Sequence, residues 1–267
     1  MSHLLRKHAP ISDSAWEQID EESRERLKPA LAARKLVDFS GPHGWEHSAT
    51  ALGRTTPLSD PPGDGLEAAR RRVLPLVELR APFSISRDEL RAADRGAEDV
   101  DFDALDKAAH RIAVAENRAV FHGWASATMT GVAEASSHDA IVLGEDCSRY
   151  PRHVAMAIEE LLYAGVGGPY GLALGPDAYT RVLETSEHGG YPLLEHLRKI
   201  LEGPLVWAPG VEGAVVLSMR GGDFLFDSGE DISIGYDSHD GDAVHLYLEE
   251  SFSFRAVTPE AAVALTP

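Results

Sequence analysis

The most regular pattern of hydrophobic and polar positions lies near the end of the chain, between residues 244 and 254. Apolar residues occupy every second position there, apart from Glu250, and mostly polar residues stand between them. This period of two predicts a long β-strand that buries one face and exposes the other. Apolar runs at 215–217 and 224–226 predict two further strands, joined by a turn at 220–223. The chain is therefore predicted to close with a multi-stranded antiparallel block.

Two stretches with apolar residues at helical spacing come before this block. Residues 14–34 carry a narrow apolar stripe with a capping-box pattern at Ser14 and Glu17, and Pro29 is expected to kink the last turn. A narrow stripe allows two interpretations, simple docking on the parent domain or an apolar edge that is partly free for a partner. Residues 102–122 form the longest predicted helix, and its many alanines allow close packing on a sheet.

Between these two helices the pattern predicts a long extended arm. Strand-like runs at 50–58 and 73–80 flank a segment at 59–65 that is rich in proline and glycine and has no means of forming a regular element. An extended arm buries little of its own surface, so it indicates an assembly in which the arm lies on a neighbouring chain; a floppy surface loop is the alternative. The three arginines at 70–72 suit carboxylates of an adjacent subunit, or simply a solvated face.

The pattern changes at residue 135, and from there to residue 218 helices and strands alternate. Helices are predicted at 151–164, 176–186 and 192–201, and a short buried strand at 170–174. These elements predict a compact α/β subdomain inserted between the long helix and the closing strands.

Composition limits the class of partner. The 267 residues carry a formal net charge of -18, which disfavours nucleic acid and anionic membranes as partners because both require a basic surface. The single cysteine, Cys147, excludes an intrachain disulfide. The first ten residues lack the apolar core of a signal peptide, and no apolar run approaches the ~20 residues of a membrane span. These features predict a cytoplasmic protein without a membrane partner.

A search for catalytic motifs is negative. The chain has no Gly-x-Ser-x-Gly elbow, phosphate-binding loop, His-Glu-x-x-His motif or paired-cysteine zinc signature. The thiolate of Cys147 is disfavoured by the adjacent Glu145 and Asp146. The neighbouring Ser, Glu and His at 186–188 do not make a triad by adjacency alone. We therefore predict no catalytic residues and no enzymatic activity.

Metal-binding patterns are equally weak in the sequence. Of the twelve histidines, His43 and His47 flank Trp45 in one turn, an arrangement that favours a surface cluster over a metal site. The acidic segment 237–242 does not have the spacing of a calcium loop and is interpreted as a hairpin turn. The sequence thus predicts no metal site.

Nine short stretches, each weak alone, run in order over essentially the whole chain. They are API at 9–11, ARKLVD at 33–38, GPHGWE at 41–46, PFSI at 82–85, DRG at 94–96, GPY at 168–170, GYPL at 190–193, RGGDF at 220–224 and SIGY at 233–236. Together they resemble the encapsulin shell proteins, also called linocin or bacteriocin-like proteins, of the family 1 type.

The resemblance implies an α+β chain with the tailed-phage major capsid fold of the Hong Kong 97 type. It also implies a closed icosahedral nanocompartment of about sixty identical copies in its simplest form. The implied parts are an N-terminal helix and arm at 1–47, an extended loop at 48–78, a peripheral domain at 79–134 with the spine helix, an axial domain at 135–218 and the rest of the peripheral domain at 219–267.

The resemblance further implies that the shell encloses a cargo enzyme, a dye-decolourising peroxidase or a ferritin-like iron oxidase. A short apolar peptide at the cargo's C-terminus would bind weakly in a groove, and many copies in one shell would strengthen the attachment. We expect Ile234→Asp to abolish loading and leave shells intact. The groove residues carried over by position are Leu27, Leu31, Arg34, Asp38, Ile232, Ile234 and Tyr236.

The resemblance implies two further expectations, a pore and the lack of a cofactor. The pore on the five-fold axis would have a charge set by acidic and histidine side chains, the latter titrating near neutral pH. Some members of the family bind a flavin through a tryptophan where this chain has Asp88, and a carboxylate offers no aromatic platform, so no flavin is expected. The residues lining the pore would be Glu187, His188, Gly189, Gly190 and Tyr191.

Two alternatives to a cargo shell stay open. One is a phage-type capsid protein that packages DNA, which the net charge of -18 disfavours because an acidic interior repels phosphate. The other is a bacteriocin or protease-like enzyme, against which the missing catalytic motifs count.

Overall fold

The computed structural model describes residues 3–186 and 190–267. In these residues the α-helices are α1 (Asp13–Ala30), α2 (Arg87–Asp94), α3 (Asp103–His122), α4 (Val132–Ala135), α5 (Tyr150–Tyr163), α6 (Pro176–Glu184) and α7 (Leu193–Leu201). The strands are β1 (Asp38–Ser40), β2 (Ala49–Leu58), β3 (Ala68–Pro75), β4 (Val77–Ser86), β5 (Ile141–Val142), β6 (Tyr170–Leu174), β7 (Glu202–Trp207), β8 (Ala214–Ser218), β9 (Phe224–Ser228), β10 (Ser233–His239), β11 (Ala243–Ala256) and β12 (Ala262–Thr266).

Strand β11, the predicted long strand, is the centre of the first sheet. Strand β4 pairs antiparallel along one of its edges, while β10 and then β9 pair antiparallel along the other. Strand β1 adds a parallel partner to β9. Helix α3 packs on the apolar face of this sheet and α1 packs on α3, around side chains such as Phe83, Ile112 and Leu246. The hairpin predicted at 237–242 is confirmed, but its turn is shorter: residues 237–239 belong to β10, and residues 240–242 lead into β11.

The long strand differs from the prediction because both of its faces are buried. On the face predicted to be exposed, Glu249 and Ser253 are 0% and 1% accessible. Arg80 from β4 forms an ion pair with Glu249, Nε2 of His3 from the N-terminal segment lies 3.2 Å from the same carboxylate, and Thr50 of β2 contacts the hydroxyl of Ser253. Polar side chains from distant segments therefore replace water on this face, which an alternating pattern does not reveal.

A second sheet has the strand order β5-β12-β8-β6-β7, and helices α5 and α7 pack on it. It contains β8, which the sequence placed in the closing block, so the turn at 220–223 joins two sheets rather than two strands of one sheet. All five residues of β8 are buried, as in a strand covered on both sides. Segment 219–267 contributes to both sheets, because β12 returns to the second one; the domain boundaries stay predictions.

Helix α1 begins and ends earlier than predicted. Its N-cap is Ser12 rather than Ser14, since the Ser12 hydroxyl accepts a hydrogen bond from the backbone N–H of Ala15. The helix ends directly after Pro29, and a 3-10 turn at Ala33–Lys35 follows. The residues beyond α1 are therefore free to turn toward the first sheet.

The end of α1 is held in place by Asn117, a fully buried residue of α3. Its side-chain amide donates to the carbonyl oxygens of Ala30 and Pro209, at 2.8 and 2.9 Å. Its oxygen accepts hydrogen bonds of 3.0 Å from the N–H groups of Ala32 and Ala33. Every hydrogen-bonding capacity of this amide is thus used, which fixes α1 relative to α3 and the loop before β8.

Strands β2 and β3 form the predicted arm, but its second strand begins earlier than predicted: β3 covers residues 68–75, and the predicted run at 73–80 is divided between β3 and β4. Within residues 3–186 and 190–267 they pair only with each other, and most of their side chains are exposed, including the arginines at 70–72.

No helix in the described part of the chain is long and apolar enough to cross a membrane.

Candidate functional site

A groove of about 420 Å³ lies between the second half of α1, the start of β10 and the N-terminal segment. It brings together five of the seven residues carried over from the resemblance. Asp38 and Tyr236 are not part of its lining. The five are Leu27, Leu31, Arg34, Ile232 and Ile234.

The apolar floor of the groove follows from two local periodicities. Leu27 lies in the last turns of α1, and Leu31, four residues on, is the residue that ends this helix; Ile232 directly precedes β10, two residues before Ile234. Leu27 and Ile234 are 7% and 4% exposed and belong to the core. Leu31 and Ile232 are half-buried, so they provide the free apolar surface.

This burial makes Ile234→Asp an unsuitable test of the groove. A carboxylate at a core position costs several kcal/mol, roughly, unless it finds a partner. We therefore expect that substitution to destabilise the fold itself, contrary to the expectation drawn from the sequence. Ile232 is the better position, because it lines the groove without being part of the fully buried core.

The rim of the groove is polar and carries more positive than negative charge. Two of its cations pair with acids of the groove lining, Arg6 with Asp20 at 2.7 Å and Arg34 with Asp231. Arg24 pairs with Glu21, which lies outside the lining. Lys28 makes no ion pair with the described residues. The rim is therefore locally positive, although the whole chain has a net charge of -18.

The N-terminal segment forms one wall of the groove, which the sequence did not predict. The backbone N–H of Tyr236 donates to the carbonyl oxygen of Leu4 at 2.9 Å, so the segment lies along the edge of β10. Arg6 donates two hydrogen bonds to Asp20, and its guanidinium stacks 3.9 Å above the Trp16 ring. The two leucines at positions 4–5, in an otherwise polar terminus, are the sequence feature that could have indicated this docking.

Tyr236 and Asp38 have other roles. The Tyr236 hydroxyl is hydrogen-bonded to Nδ1 of His239 at 2.5 Å, on the same strand and beyond the end of the groove. The carboxylate of Asp38 accepts a 2.6 Å hydrogen bond from the N–H of Gly222 and so holds the turn that joins the two sheets. Neither side chain lines the groove, although Tyr236 packs against the same core cluster as Leu27 and Ile234.

Arg34 lines the groove but directs its guanidinium into a buried acidic cluster. It reaches Glu116 of α3 at 2.7 Å and Glu250 of β11 at 3.0 Å, besides Asp231. Burial opposes the charge of Arg34, but these carboxylates outweigh it and raise its pKa. Arg34 therefore joins the end of α1 to both α3 and the sheet behind the groove.

Glu250 is the one polar residue in the apolar row of β11, and its position is explained by its pairing with Arg34 inside the fold. It is 1% exposed and lies beside Glu116, which is 0% exposed. Burial, followed by the charge of Glu116, raises the pKa of Glu250 well above its usual value, and Arg34 offsets only part of this. Glu250 therefore retains a proton at pH values at which an exposed glutamate is ionised.

The predicted pore loop lies between α6 and α7. Glu187, His188 and Gly189 are outside the described residues. Gly190 has φ +79°, and Tyr191 is 39% exposed with the Lys199 ammonium 4.9 Å above its ring. The assignment of this loop to a pore stays a prediction.

Asp88, at the position where the resemblance implied an aromatic platform for a flavin, lies in the first turn of α2. Its carboxylate is exposed and pairs with Arg91 at 2.8 Å. The N-cap of this helix is Ser86, which accepts a hydrogen bond from the N–H of Asp88. An acidic residue here stabilises the helix N-terminus, which gives Asp88 a structural role independent of any cofactor.

Comparison with solved structures identifies the fold. A virus-like particle from Pyrococcus furiosus superposes with a TM-score of 0.62 at 19% identity, over 94% of this chain and 98% of that chain. The capsid of an empty GTA particle gives a TM-score of 0.52 at 15% identity, over 89% and 90% of the two chains. The expected α+β fold of phage-type capsids is thereby confirmed.

Comparison of sequences identifies the family. The family model Linocin_M18, described as encapsulating protein for peroxidase, matches residues 1–253. The type 1 encapsulin shell protein of Rhodospirillum rubrum is 50% identical over 270 residues, which cover 99% of this chain and 96% of the relative. A ferritin-like-encapsulin shell fusion protein of Pyrococcus furiosus is 28% identical over 111 residues, 41% of this chain and 32% of the relative. The chain belongs to the encapsulin shell protein family.

Proposed function

We propose that this chain assembles into a closed icosahedral shell of about sixty copies and encloses a cargo enzyme by binding its C-terminal peptide. The main observation in support is the groove between α1 and β10, in which apolar surface of Leu31 and Ile232 is left uncovered. The chain's membership of the encapsulin shell protein family supports the same role. The family description and the fusion relative favour a peroxidase or a ferritin-like protein as cargo.

The chemistry of the groove suits an apolar peptide that ends in a carboxylate. Apolar side chains of the peptide would cover the half-buried leucine and isoleucine on the floor, at about 25 cal/mol for each Å² removed from water. Lys28 on the rim would attract the terminal carboxylate, since it has no ion-pair partner in the described residues. A short disordered tail binds weakly alone, so retention depends on several tails per cargo oligomer.

A loading assay tests the groove. The shell is co-expressed with a fluorescent reporter carrying an apolar C-terminal tail, and reporter per shell is measured after purification. We expect Ile232→Asp to reduce loading at least about tenfold, because an unpaired carboxylate against apolar groups costs more than the roughly 1–3 kcal/mol of an uncharged polar group, and about 1.4 kcal/mol already corresponds to tenfold. Ser238→Asp adds the same charge to an exposed position of β10 and is expected to load normally.

Loading by Ile232→Asp equal to that of the parent chain would refute the groove assignment. If this variant does not assemble, the milder Ile232→Ala and the rim substitution Lys28→Glu provide the same comparison. Either of them is expected to lower loading without adding charge to the apolar floor.

Assembly itself is tested by size-exclusion chromatography and negative-stain microscopy of the purified chain. Closed particles of uniform diameter are the expected result, and a monomer or dimer at micromolar concentration is incompatible with a shell. Nuclease-resistant nucleic acid inside the particles would favour the phage-type alternative instead.

The proposed role is structural, so we expect no chemistry from the shell alone. Particles cleared of cargo should have no peroxidase, ferroxidase or protease activity, and no flavin absorbance, because Asp88 replaces the aromatic platform. A pore through the loop at 187–191 would admit small solutes, and we propose a cytoplasmic location for the compartment.

A further inference from the structure

The loop between β1 and β2 brings two histidines onto one carboxylate of the first sheet. Nε2 of His43 lies 2.9 Å from Oδ1 of Asp227, and Nε2 of His47 lies 3.2 Å from Oδ2. One possible ligand atom from each residue lies within 4.8 Å of the others. The sequence favoured a surface cluster of histidines here, but it did not indicate the aspartate, which is 180 residues from His47 in the chain.

The backbone holds this arrangement in place. The N–H of His43 donates to the carbonyl oxygen of Ser228 at 3.0 Å, and the N–H of Gly44 donates to that of Gly229 at 2.8 Å. Gly41 has φ +110° and its Cα lies against Ser228, so any side chain there would clash with this strand. The loop is therefore joined to the end of β9, and both imidazoles face Asp227.

The spacing of these atoms is close to that of a metal site. Metal–ligand bonds of about 2.0–2.1 Å in a tetrahedral site separate neighbouring ligand atoms by about 3.3 Å. The two histidine–aspartate distances are within a few tenths of an ångström of this value, although each histidine faces a different carboxylate oxygen. The widest separation among the three ligand atoms is at most 4.8 Å, so about 1.5 Å of side-chain adjustment brings all three to bonding distance of one ion. Solvent reaches the site from the His43 side, which leaves a position for water.

The surroundings provide the outer hydrogen bonds that metal sites require. The Thr50 hydroxyl donates to Oδ2 of Asp227 and lies 2.7 Å from the hydroxyl of Ser253. Ser40 lies 3.0 Å from Nε2 of His43 and is exposed enough to turn away. Such second contacts orient the ligands and typically change metal affinity by about 10–100-fold when they are removed.

We propose that His43, His47 and Asp227 form a binding site for a divalent transition metal such as Zn²⁺ or Co²⁺. Two imidazoles and one carboxylate suit these borderline cations better than Mg²⁺ or Ca²⁺, which prefer oxygen ligands alone. The site lies at the base of the arm, between the loop that leads into β2 and the sheet strand β9. A bound ion therefore ties the arm to the first sheet and stabilises the folded chain.

The test is a Co²⁺ titration of the purified full-length protein after chelator treatment, followed by visible absorption. The parent chain is expected to bind one Co²⁺ per chain with a tetrahedral spectrum that Zn²⁺ abolishes. We expect His43→Ala and Asp227→Asn each to weaken binding at least about tenfold, in line with the loss that outer contacts alone cause. Thermal unfolding should shift upward with Zn²⁺ in the parent chain and not in these variants.

His245→Ala is the matched control. His245 forms an exposed pair with Asp240 at 3.3 Å, without a second histidine, so its loss should leave the titration unchanged. Equal Co²⁺ binding by the parent chain and by His43→Ala would overturn the proposal, as would absence of binding by the parent chain. In either case the cluster is a histidine–aspartate ion pair only.

Discussion

The two faces of the first sheet carry two charged clusters that differ in access to water. Behind the groove, Arg34 lies between Glu116 and Glu250; both acids are closed off from solvent, and only 16% of the Arg34 side chain is exposed, on the groove side. On the opposite face His43 and His47 meet the carboxylate of Asp227 at an open loop. The closed cluster has more carboxyl groups than cations, and no ion from solvent can enter, so a proton balances the charge. The open cluster has space for a cation from solvent. Burial, rather than residue type, therefore determines whether a proton or a cation balances the carboxylates.

Removal of the cation from the closed cluster should have the largest effect on stability. Arg34→Ala leaves two buried carboxylates without the one cation that pairs with both among the described residues. Breaking a buried ion pair in this way costs about 3–5 kcal/mol. We expect a correspondingly lower free energy of unfolding in urea, or a failure to accumulate as folded protein.

Arg26→Ala is the control for that measurement. Arg26 also pairs with two acids, Glu22 and Asp106, but its side chain is 56% exposed. Exposed ion pairs contribute about 0–1 kcal/mol. Equal losses in the two variants would show that the cluster behind the groove is not closed in the way described.

The second effect is a dependence on pH that only the closed cluster should have. The pKa of Glu250 is raised in the folded state by burial and by Glu116, so unfolding releases its proton once the pH exceeds the ordinary glutamate value. Stability is therefore fully present below that value and falls as the pH rises toward the raised pKa, by up to about 1.4 kcal/mol per pH unit.

Glu250→Gln removes this titration and keeps the shape of the side chain. We expect the free energy of unfolding to change less between pH 5 and pH 8 in this variant than in the parent chain. Glu212→Gln, at an exposed position, should reproduce the pH dependence of the parent chain. If the parent chain gains stability over this pH range through Glu250, the direction assigned to its pKa is wrong.

The smallest effect is expected at the open cluster when no metal is present. His47→Ala removes one partner of Asp227, but His47 is 30% exposed and water replaces the lost contact. We expect a loss of about 0–1 kcal/mol in chelator-treated protein, measured by the same urea titration. A loss as large as that of Arg34→Ala would show that the two clusters do not differ.

Several elements were predictable from local pattern. The period of two between residues 244 and 254 located β11, and the helical spacing at 102–122 located α3 to within one residue. Proline and glycine between two strand-like runs located the arm. These predictions hold because the apolar face of a strand or helix depends on residues within a few positions of each other.

The groove was predictable only in part. Leu27, Leu31, Ile232 and Ile234 lie on apolar faces of their elements and meet as the resemblance implied. The wall formed by Leu4 and Arg6 was missed, since docking of the N-terminal segment depends on contacts with β10 and Asp20. The sequence also did not distinguish the buried Ile234 from the half-buried Ile232.

The sequence by itself determined the order of elements, their apolar faces and, through its nine short stretches, the family. Only the tertiary structure decided which polar groups meet: Glu250 with Arg34 across 216 positions, and His47 with Asp227 across 180. Periodicity reports the burial of a face and not its partner. The pairing of polar side chains depends on how distant elements pack, because a buried charge is stable only where another segment brings it a counterion or a proton.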